Sequence, residues 1–156
     1  LANKALGTAH AYLRVDGTPA SSAAQNAFKD LTYDRPNPWQ PSPVILSFSP
    51  NLDVTTTTRV LDEWNSLTIG AERNVPMLYL GPQAMGLNKA GKYTNAALWK
   101  FQEEIIEPAK QRHFDVLGLW NLTIQASSKD GERYGENAAL VQAMMIINWL
   151  SKLETS

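Results

Sequence analysis

The chain has 156 residues, 44% of them apolar, and a net charge of −1 from 14 basic and 15 acidic residues, which suits one compact domain with a single core. Its charges are mixed along the sequence with no Lys/Arg cluster, so the electrostatic footprint of a nucleic-acid binder is missing, and no apolar run approaches the ~18–20 residues that cross a bilayer. Cysteine is absent, which excludes disulfides, thiolate-bound zinc and a thiol nucleophile.

The sequence begins Leu1-Ala2-Asn3-Lys4-Ala5, which does not read as a signal peptide, and we take the start as a boundary inside a longer protein. His10 to Val15 alternates like a strand and closes on an Asp16-Gly17 turn, while Leu1 to Ala11 fits a helix equally well. Ser21 to Leu31 reads as a short helix. Tyr33 to Pro43, with four prolines, reads as a rigid connector. Residues 1–42 are therefore set apart as an N-terminal segment, and residues 43–156 as a β-α-β-α-β-α unit.

Pro43 to Ser49 is a short apolar, β-branched run bounded by prolines, the pattern of a buried strand. Asp53 to Thr58 offers helix N-caps, and Val60, Leu61, Trp64 and Leu67 follow at helical spacing with Asp62 and Glu63 on the outer side. Val75 to Leu80 is the second strand. Pro76 sits near its start, where a missing ladder donor is tolerated, and Gly81-Pro82 closes it. A loop rich in Gly and Lys covers residues 83–93. Thr94 then caps a helix striped by Leu98, Phe101, Ile105 and Ala109, and Pro108 should kink that helix or end it early. Phe114 to Trp120 is the third strand. The last helix, about Glu136 to Leu153, carries Leu140, Val141, Met144, Met145, Ile147, Trp149 and Leu150, a broad apolar face for packing flat on a sheet.

This alternation predicts an α/β fold of three layers, α/β/α, around a small parallel sheet of three to five strands joined by right-handed crossovers. Such sheets bind ligands beyond the carboxyl ends of their strands, which directs attention to Ser47–Asp53, Leu80–Gly86 and Asn121–Tyr134. A three-stranded sheet also leaves an edge exposed, so either residues 1–42 add a strand or a homodimer or companion segment is expected to cover it.

Leu119 to Gly135, followed by a helix ending Met144-Met145-Ile146-Ile147-Asn148-Trp149-Leu150, resembles the closing block of the SGNH/GDSL-type hydrolases, whose sheet is flavodoxin-like. The branch it is most similar to is that of PC-esterase-like proteins acting on O-acetyl groups of glycans, including fungal capsule-related homologues. That block delivers Asp-x-x-His, often as Asp-Gly-x-His-Tyr, and the matching residues are Asp130-Gly131-Glu132-Arg133-Tyr134. Val44 to Asp53 resembles the strand followed by Gly-x-Asn that supplies an oxyanion-hole asparagine. Asn51 matches there, and Ser49 stands where glycine is usual. The resemblance spans about residues 43–153 and implies a serine esterase or acetyltransferase ancestry acting on glycan esters.

Two departures change what the resemblance implies. The Gly-Asp-Ser nucleophile motif is missing from the sequence, and the base position holds Arg133. The base must take up and return a proton near neutral pH, whereas arginine stays protonated, so an Asp130–Arg133 pair would be a salt bridge. The expectation is a degenerate or partial esterase domain that is not catalytic as this chain alone. The alternative is a noncatalytic sugar- or protein-binding domain. A dinucleotide-binding module ranks last because no Gly-x-Gly-x-x-Gly loop follows a strand.

The resemblance gives Asp130 and Asn51 the catalytic positions. Trp120, Arg133, Tyr134 and Gly81 are the candidates for contact with a glycan or acyl-ester ligand, in a shallow pocket reaching to Met85. Thr18, Ser21 and Ser22 are the candidates for a displaced nucleophile, although helix capping accounts for them more simply. Trp64, Trp99 and Trp149 are expected to pack onto the sheet, Trp39 to staple the connector, and Met144 and Met145 to lie in the core. His113, before the third strand, reads as a surface or capping residue, and His10 is unplaced. No cofactor or metal is expected. The sequon Asn121-Leu122-Thr123 hints at a secretory or extracellular origin.

Overall fold

The computed structural model describes residues 2–3, 8–9, 13, 19–33, 43–47, 53–68, 75–84, 93–126 and 134–153. In chain order the elements are β1 (Ala2–Asn3), β2 (Thr8–Ala9), α1 (Ser22–Tyr33), β3 (Val44–Leu46), α2 (Val54–Thr68), β4 (Met77–Leu80), α3 (Asn95–Lys110), β5 (Phe114–Leu117), α4 (Trp120–Gln125) and α5 (Glu136–Leu153). Strands β3, β4 and β5 form an all-parallel sheet in sequence order, with helices on both faces, the three-layer α/β/α arrangement.

Register places the side chains. Val44, Met77 and Phe114 stand in one row across the sheet, and Leu46, Tyr79 and Val116 in another. Both rows face the core, where Leu61 and Trp64 of α2 and Phe101, Ile105 and Ala109 of α3 cover them. The alternate row, Ile45, Leu78 and Asp115, points to the opposite face. Two consecutive crossovers of the same hand put α2 and α3 on one face, so the other face depends on α5 for its cover.

The caps expected from the sequence are in place. Asp53 accepts hydrogen bonds from Thr55 N at 3.1 Å and Thr56 N at 3.0 Å, starting α2. The Thr56 hydroxyl also donates to Asp53, and these bonds hold the carboxyl below its ordinary pKa. Thr94 Oγ1 accepts from Ala97 N to start α3. Gln111 is the C-cap of that helix, and His113 is an exposed surface residue with a left-handed φ of 63° in the turn before β5.

Residues 1–42 contribute more than a connector. α1 joins the core through Ala24 and Phe28, whose ring meets Trp64 edge-on at 4.9 Å. Glu63 is turned inward to this junction rather than outward, accepting from Ala20 N at 2.8 Å and Gln25 Nε2 at 3.2 Å. β1 and β2 pair antiparallel with each other, so they add no strand to the parallel sheet and replace the helical alternative for Leu1–Ala11. The strand expected over His10–Val15 and the proline connector with Trp39 lie outside the described residues, apart from Leu13, which packs on the core.

Other expectations need correction. Pro108 lies inside α3, which ends two residues later at Lys110, so the missing donor falls in the last turn. β5 stops at Leu117, so Trp120 is the first residue of α4, a helix in a stretch expected to be strand and loop. Trp99 is 36% exposed and does not pack on the sheet.

The largest correction concerns α5. It docks through buried Ala138 and through Trp149 Nε1, which donates to Asp115 Oδ2 at 2.7 Å on the far face of the sheet. Leu140, Met144 and Ile147 remain 55%, 67% and 57% exposed, and Val141 is exposed beside them. Met144 is therefore outside the core, while Met145 is half-buried. A helix apolar on nearly every side can lay only one stripe on a three-stranded sheet, and the stripe chosen leaves these residues outward.

Leu61 is fully buried at the centre of the core. Leu61→Ala is expected to lower unfolding stability by about 2–5 kcal/mol in urea denaturation. A loss below about 1 kcal/mol would contradict the placement of the core.

Candidate functional site at the carboxyl edge of the sheet

The carboxyl ends of β4 and β5 lead into two short segments, Gly81–Ala84 and Gly118–Leu119, that are tied together by polar side chains. Gly81 N donates to Leu117 O at 2.9 Å, carrying the ladder one step past the strand. The two glycines allow close approach here. A Cβ on Gly118 would stand 3.0 Å from the Gln102 side chain, and one on Gly81 would be 3.4 Å from Leu117 O. Gln102, buried in the middle of α3, accepts from Trp120 N at 3.1 Å through Oε1 and so fixes the start of α4.

Thr123 is the second tie. Its buried hydroxyl donates to Leu119 O at 2.7 Å and accepts from Ala84 N at 2.7 Å, joining α4 to the segment after β4. Tyr134 is the third, its hydroxyl donating to Ala84 O. Desolvation raises the Tyr134 phenol above its ordinary pKa, outweighing a hydrogen bond with Thr123. The neutral phenol is thus the form the fold favours, and the stability it adds holds at neutral pH and fades as pH rises through the raised pKa.

The aromatic residues at this edge form a pair. α3 runs back from the loop after β4, which places Trp99 near the same end as Trp120, and their rings meet at 5.0 Å with a 56° tilt. Trp99 is exposed, whereas Trp120 is half-buried. The Trp120 Nε1 is buried with no acceptor among the described residues, an unsatisfied donor at the mouth of the sheet.

Of the residues singled out by sequence, Gly81, Trp120 and Tyr134 come together here. Gly81 and Tyr134 hold backbone, and Trp120 pairs its ring with exposed Trp99. Asn51, Asp130, Arg133 and Met85 lie outside the described residues, as do Thr18, Ser49 and His10. Ser21 caps α1, accepting from Ala24 N at 3.2 Å, and Ser22 is the exposed first residue of that helix. In the sequon, Asn121 is exposed on α4 while the Thr123 hydroxyl is engaged within the fold. Among the described residues no group of three His, Asp or Glu side chains is placed to hold a metal ion.

Gln102 and Thr123 were not singled out by sequence reasoning. A glutamine beside the apolar stripe of α3 is the one available signal for the first. The second is marked by sequence only as the third residue of the Asn121-Leu122-Thr123 sequon, which says nothing of its tie to Ala84. No family model matches the chain, and no curated protein or solved structure is significantly similar to it, so the likeness to SGNH/GDSL-type hydrolases rests on the sequence blocks alone.

Thr123→Val keeps the shape but leaves Ala84 N without its acceptor, and is expected to cost about 1–3 kcal/mol. Tyr134→Phe, at a more open position, should cost about 1 kcal/mol at neutral pH. Its difference from wild type should shrink above the ordinary phenol range of about 10, read by denaturation at stepped pH. Equal stability of Thr123→Val and wild type would contradict the tie.

Proposed function

We propose that this chain is a noncatalytic sugar-binding domain built on an SGNH-like α/β unit, with its ligand at the carboxyl edge of the sheet. The observation that carries this reading is the Trp99–Trp120 pair, an exposed ring beside a half-buried one at the carboxyl edge of the sheet. A sugar ring presents C–H groups to an aromatic face, and the exposed Trp99 ring braced by Trp120 offers such a face. Gly81–Ala84, held by Thr123 and Tyr134, supplies the fixed floor beside it. The O-acetylated glycan class comes from the resemblance of Leu119–Gly135 and the following helix to the PC-esterase-like block.

The noncatalytic part of the reading rests on the sequence. Where that block carries its general base, this chain has Arg133, which cannot accept the nucleophile's proton. A protein-binding role is favoured by a different observation, the uncharged and exposed face of α5.

Titrating O-acetylated and deacetylated oligosaccharides while following tryptophan emission tests the reading. Saturable quenching is expected, with affinity at least tenfold weaker in Trp120→Ala, and no release of acetate. Acetate release that saturates with substrate, or binding unaffected by Trp120→Ala, would contradict it.

A further inference from the structure

From Asn137 to Ser151 α5 carries no charged residue. Its inner stripe, Ala138 with half-buried Gln142, Met145 and Trp149, belongs to the docked side. On the opposite side Leu140, Met144 and Ile147 recur at i, i+4 and i+7, all exposed, with Val141 flanking them. A helix face left to water ordinarily carries charged or polar side chains. A helix lying on a lipid surface would carry a rim of Lys and Arg, and α5 has Lys152 alone. Leu140, Met144 and Ile147 fit neither setting, and their spacing is that of a helix–helix seam.

Three features favour a second α5 as the occupant. The stripe is uncharged along its whole length, so two copies meet without like-charge repulsion. The first turn carries Glu136 and the last turn Lys152, so an antiparallel pair sets opposite charges and opposed helix dipoles side by side at both ends. The stripe is also centred on Met144, and a two-fold axis through that residue brings Leu140 of each copy toward Ile147 of the other, as an isologous contact requires. Ile45, exposed on the same face of the sheet as Asp115, extends the apolar surface on that side.

We propose that the chain forms a homodimer in which α5 packs antiparallel against α5 of a second copy, with Met144 at the two-fold axis. The apolar stripe from Leu140 to Ile147 runs for about 10 Å at the middle of a helix about 27 Å long. The contact lies apart from the Trp99–Trp120 site and does not depend on any ligand being bound there.

Because the chain has no cysteine, single-cysteine variants report this contact cleanly. Sedimentation velocity across a concentration series should give the wild type twice the 17.3 kDa chain mass. Met144→Glu should run as a monomer with unchanged far-UV circular dichroism. Met144→Cys should form a covalent dimer on mild oxidation, while Glu103→Cys, on the exposed side of α3, should not. A wild type that stays at the single-chain mass throughout overturns the proposal, whether or not it binds another protein or vesicles. A dimer that persists in Met144→Glu, or that does not cross-link through Met144→Cys, overturns it as well.

Discussion

Because β3, β4 and β5 are added in the order they are made, their two crossovers turn the same way and α2 and α3 share one face of the sheet. That face becomes the core, closed further by Phe28 of α1 against Trp64. Among the described residues the final helix meets the other face, through Trp149 and Asp115, and the sheet is three strands wide. On that face Leu78 of the central strand is buried while Ile45 at the β3 edge stays exposed. The exposed side of α5 follows from the same imbalance. It is apolar far beyond what its own footing on the sheet uses.

The same order of strands positions the candidate site. Gly81–Ala84 and Gly118–Leu119 emerge side by side from β4 and β5, and the absence of a Cβ at Gly118 leaves room for the Gln102 side chain beside them. Gln102, Thr123 and Tyr134 then spend their polar atoms on backbone groups of these segments. Buried polar side chains that satisfy backbone in this way fix a rigid frame rather than act on a ligand. The aromatic pair stands beside this frame, with Trp120 held at its own backbone by Gln102.

Much of the fold is legible in the sequence for local reasons. Met77-Leu78-Tyr79-Leu80 is an unbroken apolar run because a central parallel strand is covered on both faces, and Asp53 and Thr94 announce their helices through caps that need no tertiary partner. α4 is not legible in this way. Its six residues are too few to show a period, and its start is held by Gln102, distant in sequence. The orientation of α5 is hidden for the opposite reason, since apolar residues on nearly every side do not say which stripe turns inward. At the site, the sequence identifies Trp120 and Tyr134 but gives no sign that Trp99 turns from the sheet to meet Trp120, because pairing between two helices is a tertiary event.

Labelling with a fluorophosphonate probe followed by peptide mass mapping is the most direct test of the proposal that the carboxyl edge of the sheet holds no working nucleophile. The prediction is that no serine or threonine is labelled while an active serine esterase in the same tube is. A label at Thr18, Ser21, Ser22 or Ser49 would reveal a working nucleophile and contradict the account.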